Sequence, residues 1–121
     1  DTVITSSKTK YRAVAEINGE TSSQVMILLG SGSEKYPNSH WEENLKFSLM
    51  IQKTAAERYP GLMRPILLRN YLYNQDITPG SILVEVGTCG NTPEEAERGA
   101  GYFAECLIEV LDVINEKGAL R

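Results

Sequence analysis

Apolar and polar positions along this chain switch between a period of two and a period near 3.6, and the switches lay out the elements. From Tyr11 the stretch YRAVAEIN keeps Tyr11, Ala13, Ala15 and Ile17 in phase, which predicts a strand, and Asn18-Gly19-Glu20 predicts a hairpin-like turn after it. Gln24 to Gly30, QVMILLG, is a nearly continuous apolar run closed by GSGS, the pattern of a strand covered on both faces. GSGSEK lacks the length and the Lys-Ser/Thr ending of a phosphate-binding loop, so it reads as a flexible connection.

The period then lengthens. Ser39 with Glu42 has the spacing of a capping box, and Trp41, Leu45, Leu49 and Ala56 recur at helical spacing, predicting a helix from about His40 to Tyr59 that Pro60-Gly61 ends. RPILLR, Arg64 to Arg69, reads as a short strand, and NYLYNQDITPG as a polar and aromatic loop. Ile82 to Val86 predicts another buried strand. Thr92-Pro93-Glu94-Glu95 supplies an N-cap, a proline at the first helical position and a capping-box glutamate. Ala96, Ala100, Phe103, Leu107, Leu111 and Ile114 form the apolar stripe of a second helix, stopped by Gly118. The order predicts an α/β fold, a mainly parallel or mixed sheet flanked by helices, with strands 24–29 and 82–86 central.

Composition adds little to this picture and removes some alternatives. The 121 residues suit one domain, with 41% apolar and 23% charged residues. A net charge of −4 with scattered lysines and arginines argues against nucleic-acid binding. No apolar run approaches the roughly 18 residues of a membrane helix, and DTVITSSKTK lacks the apolar segment of a signal peptide. Cys89 and Cys106 are too few for a disulfide scaffold and have no metal-ligand spacing.

The chemistry concentrates at Glu85, an acid near the end of an otherwise apolar strand. A carboxylate taken out of water without a partner is costly, so its presence there asks for a reason. Val84 and Val86 point to the other face, leaving Glu85 with Leu83 and Gly87, where there is room above the carboxyl for a group that takes and returns a proton. Ligands of open α/β sheets gather beyond the carboxyl ends of strands, and Glu85 lies at that end of its own. The structural alternative is an ion pair with Arg64, Arg69 or Arg98, or exposure on an edge strand. His40 is the only histidine and has no second ligand at metal-binding spacing. Cys89 enters a helix, where a thiolate is favoured, but as a nucleophile it would need His40 as its base. Tyr71, Tyr73, Asn74 and Gln75 group planar hydrogen-bonding side chains suited to gripping sugars or peptides.

MILLGSG, WEENLKFSLMIQK, RYPGLMRPILL, YNQDITPG and ILVEVGTCGNTPEEAERGA occur in an order that resembles the stage II sporulation protein P family of peptidoglycan hydrolases. That family is related to the zinc-dependent N-acetylmuramoyl-L-alanine amidases. The resemblance covers roughly four fifths of the chain. It implies a hydrolase that cuts the amide between the muramic acid lactyl group and L-alanine, and in some members also the peptide crosslink. It implies Glu85 as the base that activates water beside a zinc ion, with Arg69, Asn74 and Gln75 as candidates for the substrate groove.

The zinc ligands of the family, two histidines and a glutamate, have no counterpart in this sequence. Asp1 resembles the aspartate of the family's His-Arg-Asp segment, so residues 1–121 read as the C-terminal part of a single catalytic domain, incomplete at its N-terminal side. Zinc is expected in the complete domain and not in this chain alone, which is expected to be inactive and to recruit another copy, swap elements or pair with its missing half through an exposed sheet edge. The resemblance also implies a membrane-anchored protein outside the cytoplasm, between mother cell and forespore, working beside a lytic transglycosylase and the membrane partners of engulfment. Two readings of other kinds stand beside it: a non-catalytic α/β binding or scaffold domain, and a cysteine hydrolase using Cys89 and His40.

Overall fold

The computed structural model describes residues 2–118. Asp1, and with it the resemblance to a His-Arg-Asp segment, lies outside the described residues. Seven elements follow in order: β1 (Val14–Ile17), β2 (Glu20–Ser23), β3 (Val25–Gly30), α1 (Trp41–Arg58), β4 (Leu67–Arg69), β5 (Leu83–Val86) and α2 (Pro93–Glu116). The expected hairpin forms around Asn18-Gly19, both with positive φ, and pairs β1 with β2 antiparallel. The main sheet has the order β4-β3-β5. It is mixed, with β4 parallel and β5 antiparallel to β3. The fold is α/β.

One core lies between this sheet and the two helices. Val25, Ile27 and Leu29 of β3 meet Ile51 and Ala55 of α1 and Phe103, Cys106 and Val110 of α2. All six residues of β3 are buried, as its unbroken apolar run requires. β3 is central as expected, but β5 is not. Among the described residues β5 pairs with β3 alone and is an edge strand, with Leu83 39% exposed. Val84 and Val86 still pack on the core, so one apolar face made an edge strand look like an inner one.

Both helices sit rotated from the faces their apolar residues predict. In α1 the buried positions are Asn44, Ser48, Ile51 and Ala55, while Leu49 is 51% exposed. The polar pair is tolerated because it is bonded: Asn44 donates to the Thr78 carbonyl and accepts from Asn38, and Ser48 donates to the Asn44 carbonyl. The expected Ser39–Glu42 capping box is absent. His40 is the N-cap and makes no side-chain cap bond; its own N–H donates to Asn38 Oδ1 instead. In α2 the Thr92–Glu95 capping box forms as predicted, and the buried face runs Glu95, Gly99, Phe103, Cys106, Val110. Leu111, placed in the core by the stripe, is 37% exposed. Gly99 explains the rotation, because only a residue without a side chain lets α2 lie this close to Ser22 and Ser23 of β2.

Candidate functional site

Strand alternation and register together assemble the site around Glu85. Glu85 lies opposite Met26, Leu28 lies opposite both Leu83 and Leu67, and Arg69 lies opposite Gly30. These residues share the sheet face that turns away from α1 and α2. A cavity of about 640 Å³ opens over that face. Met26, Leu28, Ile66 and Leu67 give its apolar lining, and Glu85, Arg64 and Arg69 its charged groups.

The Glu85 side chain is half-buried, and its Oε2 is fully buried and makes no hydrogen bond. Arg98, one of the arginines that could have paired with it, instead donates to the Thr21 carbonyl at 2.7 Å. A buried carboxylate oxygen without a donor is under-solvated, and a water or substrate N–H brought to it would relieve the cost. Arg69 holds its backbone in place through Ser31, whose N–H donates to its carbonyl at 2.9 Å. Its exposed guanidinium makes no hydrogen bond or ion pair among the described residues.

The turn that follows Glu85 is fixed by a polar network. Asn91 Oδ1 accepts from the Thr88 N–H at 2.8 Å, and its Nδ2 donates both to the Ala13 carbonyl and to Glu95 Oε2 at 2.9 Å. Glu95, 1% exposed, also accepts from the Thr92 N–H and forms an ion pair with Arg12. The Arg12 hydrogen bond holds the Glu95 carboxyl down at about 2, against burial, which pushes it up, and with help from Asn91 and Thr92. The Glu95 side chain therefore stays ionised at neutral pH and anchors the start of α2 beside the segment at residues 11–13.

Because β5 runs antiparallel to β3, its carboxyl end lies beside the amino end of β3, so Glu85 is not grouped with the carboxyl ends of β3 and β4. This separates it from the candidates other than Arg69, which lines the same cavity. Gln75 is 1% exposed, and its amide is committed to β3: Oε1 accepts from the Gly30 N–H and Nε2 donates to the Leu28 carbonyl, both at 2.9 Å. Asn74 is exposed with φ 58°, and neither residue lines the cavity. His40 lies past the end of β3 and Cys89 past the end of β5, hence at opposite ends of a strand roughly 15–20 Å long. That geometry does not bring a thiol–imidazole pair together. Both cysteines are free, and burial pushes the Cys106 thiol up.

The residues around Glu85 do not fit a zinc ion. Zinc catalysis uses three protein ligands, whereas this cavity offers one carboxylate among arginines and apolar side chains. Among the described residues no three His, Cys, Asp or Glu side chains cluster as a metal site. The sequence singled out Glu85, though on an inner strand rather than the edge strand observed, and gave no sign of the apolar lining beside it or of the Arg12–Glu95 pair. The lining was hidden in the unbroken run of β3, where two faces cannot be told apart, and the ion pair joins residues 83 positions apart in sequence.

Comparison with known proteins gives the chain a family. A family model described as Stage II sporulation protein P (SpoIIP) matches residues 1–108. The Stage II sporulation protein P of Bacillus subtilis (strain 168) is 30% identical over 109 residues, covering 86% of this chain and 26% of the relative. The chain thus spans about a quarter of the length of the curated relative it matches. No solved structure matches it. With most of its length aligned to that model, the chain belongs to the stage II sporulation protein P family.

Proposed function

We propose that this chain is the C-terminal part of a peptidoglycan hydrolase domain, an N-acetylmuramoyl-L-alanine amidase in type, in which Glu85 is the general base. The observation that carries the reading is the buried, unpartnered Oε2 of Glu85 in a cavity large enough for a substrate segment. In amide hydrolysis Oε2 accepts a proton from water as the water oxygen bonds to the carbonyl carbon. The carboxyl then returns that proton to the nitrogen as the C–N bond breaks.

On this reading Glu85 supplies the proton transfer, and the residues around it are not the ligands of a zinc ion. By itself the chain is expected to bind no zinc at submicromolar affinity and to release no peptide from purified cell walls. In the longer polypeptide, Glu85→Gln should lower turnover by about 10²–10⁴-fold, with folding and zinc content unchanged. Wild-type turnover in that variant would remove Glu85 from the mechanism. Loss of folding in its place would return Glu85 to a structural role.

The family's place in sporulation extends the proposal to its setting: a site outside the cytoplasm, between mother cell and forespore, beside a lytic transglycosylase. Among the described residues no helix is long and apolar enough to cross a membrane.

A further inference from the structure

Glu85 and Arg69 stand on one face of the sheet four positions apart along β3, one opposite Met26 and the other opposite Gly30. That is roughly 13 Å along the strands and two strand spacings, about 10 Å, across them, so about 16 Å between the two backbones, shortened by the reach of both side chains into one cavity. Between them lie Leu28 and Leu67, and all of these residues except Gly30 line one cavity. From end to end the groove offers an acceptor without a donor, an apolar middle and a guanidinium without a partner among the described residues. A ligand complementary to that sequence has an N–H or O–H donor, a small apolar part and an anion.

We propose that Arg69 is a specificity-determining residue that binds a free carboxylate on the acyl-peptide whose scissile amide faces Glu85, so that the site prefers the carboxylate form over the carboxamide. The assignment rests on the reading of Glu85 as the proton-handling group. A neutral sugar leaves Arg69 without a counter-charge. A carboxylate matches one planar guanidinium in a two-point contact, whereas a phosphate dianion is better served by several free cations or a helix N-terminus; the groove's second guanidinium, Arg64, has a partner of its own, and an acid stands at the other end. A peptide extended at about 3.3 Å per residue places a side-chain carboxylate one or two residues from the amide within reach of Arg69.

The test uses the chain as it is. N-acetyl-alanyl-glutamate amide, with one carboxylate, and N-acetyl-alanyl-glutamine amide, with none, are titrated against it by nuclear magnetic resonance, with inorganic phosphate as a third probe. The wild-type chain should bind the glutamate peptide about tenfold more tightly than the glutamine peptide and more tightly than phosphate. Arg69→Gln should abolish that difference by weakening the glutamate peptide alone, Arg69→Lys should restore part of it, and the chemical shifts of unrelated residues should stay in place. Equal affinities in the wild type, tighter binding of phosphate, no binding of either peptide, or a preference that survives Arg69→Gln would each overturn the assignment. None of these outcomes touches the turnover of Glu85→Gln, so the two readings fail separately.

Discussion

Past the Leu28–Leu83 pair β5 no longer runs beside β3, and the amide of Gln75 takes over. It accepts from the Gly30 N–H and donates to the Leu28 carbonyl, much as a neighbouring strand would. Gln75→Ala leaves the Gly30 N–H buried without its acceptor and opens a cavity, which should cost about 2–3 kcal/mol of stability. Urea unfolding of the variant measures it, and a change within experimental error would show that the loop at 71–75 repacks freely. Glu85 was legible in the sequence because an acid in an apolar strand breaks a local rule. Gln75 was not, because an amide in a polar loop looks the same whether it serves a ligand or the backbone. What decides is where the loop docks, and that depends on the end of a strand more than forty residues away.

At the scale of the elements, α2 carries two glycines with opposite roles. A Cβ at Gly99 would overlap Ser23 Oγ and lie 2.7 Å from the Ser23 carbonyl, while a Cβ at Gly101 meets nothing within 4 Å. Gly99→Ala should therefore destabilise the protein by about 1–3 kcal/mol through forced separation of α2 from β2. Gly101→Ala should stabilise it by about 0.5–1 kcal/mol through helix propensity alone. Thermal unfolding of the two variants side by side reads both signs, and equal shifts would mean that α2 does not lie on β2 as described. The existence and ends of α2 were legible from Thr92-Pro93 and Gly118, and its rotation was not. A stripe drawn through Leu107 and Leu111 follows the largest apolar side chains. The packed face follows the closest approach, which Gly99 sets, and apolar size carries no record of a missing side chain. In α1 Asn44 is buried for a similar reason, since its bonding partners Asn38 and Thr78 come from loops on either side of the helix in sequence, while Ser48 beside it donates to the Asn44 carbonyl.

Over the whole molecule, the α/β order and the central place of β3 were readable from runs and periods, while the antiparallel course of β5 was not, since periodicity is blind to strand direction. That course brings the turn after Glu85 to the segment at residues 11–13, and Arg12 and Glu95 join the two. The linkage gives the fold a definite response to acid. The Glu95 carboxyl is held at about 2 in the folded chain against an ordinary value of 4.5. Unfolded chains therefore bind more protons in this interval, and stability must fall as pH is lowered through it. The Glu95 contribution is complete above about pH 4.5 and fades progressively toward pH 2. Glu95→Gln keeps a hydrogen-bonding side chain at the start of α2 but cannot ionise. It should melt several degrees lower than the wild type at pH 7 and lose less stability between pH 4.5 and 2.5. Parallel melting curves across that range test the coupling. If wild type and variant fall with the same slope, acid loosens the molecule at other carboxylates, and the turn behind Glu85 is held by Thr88 and Asn91 without help from the ion pair.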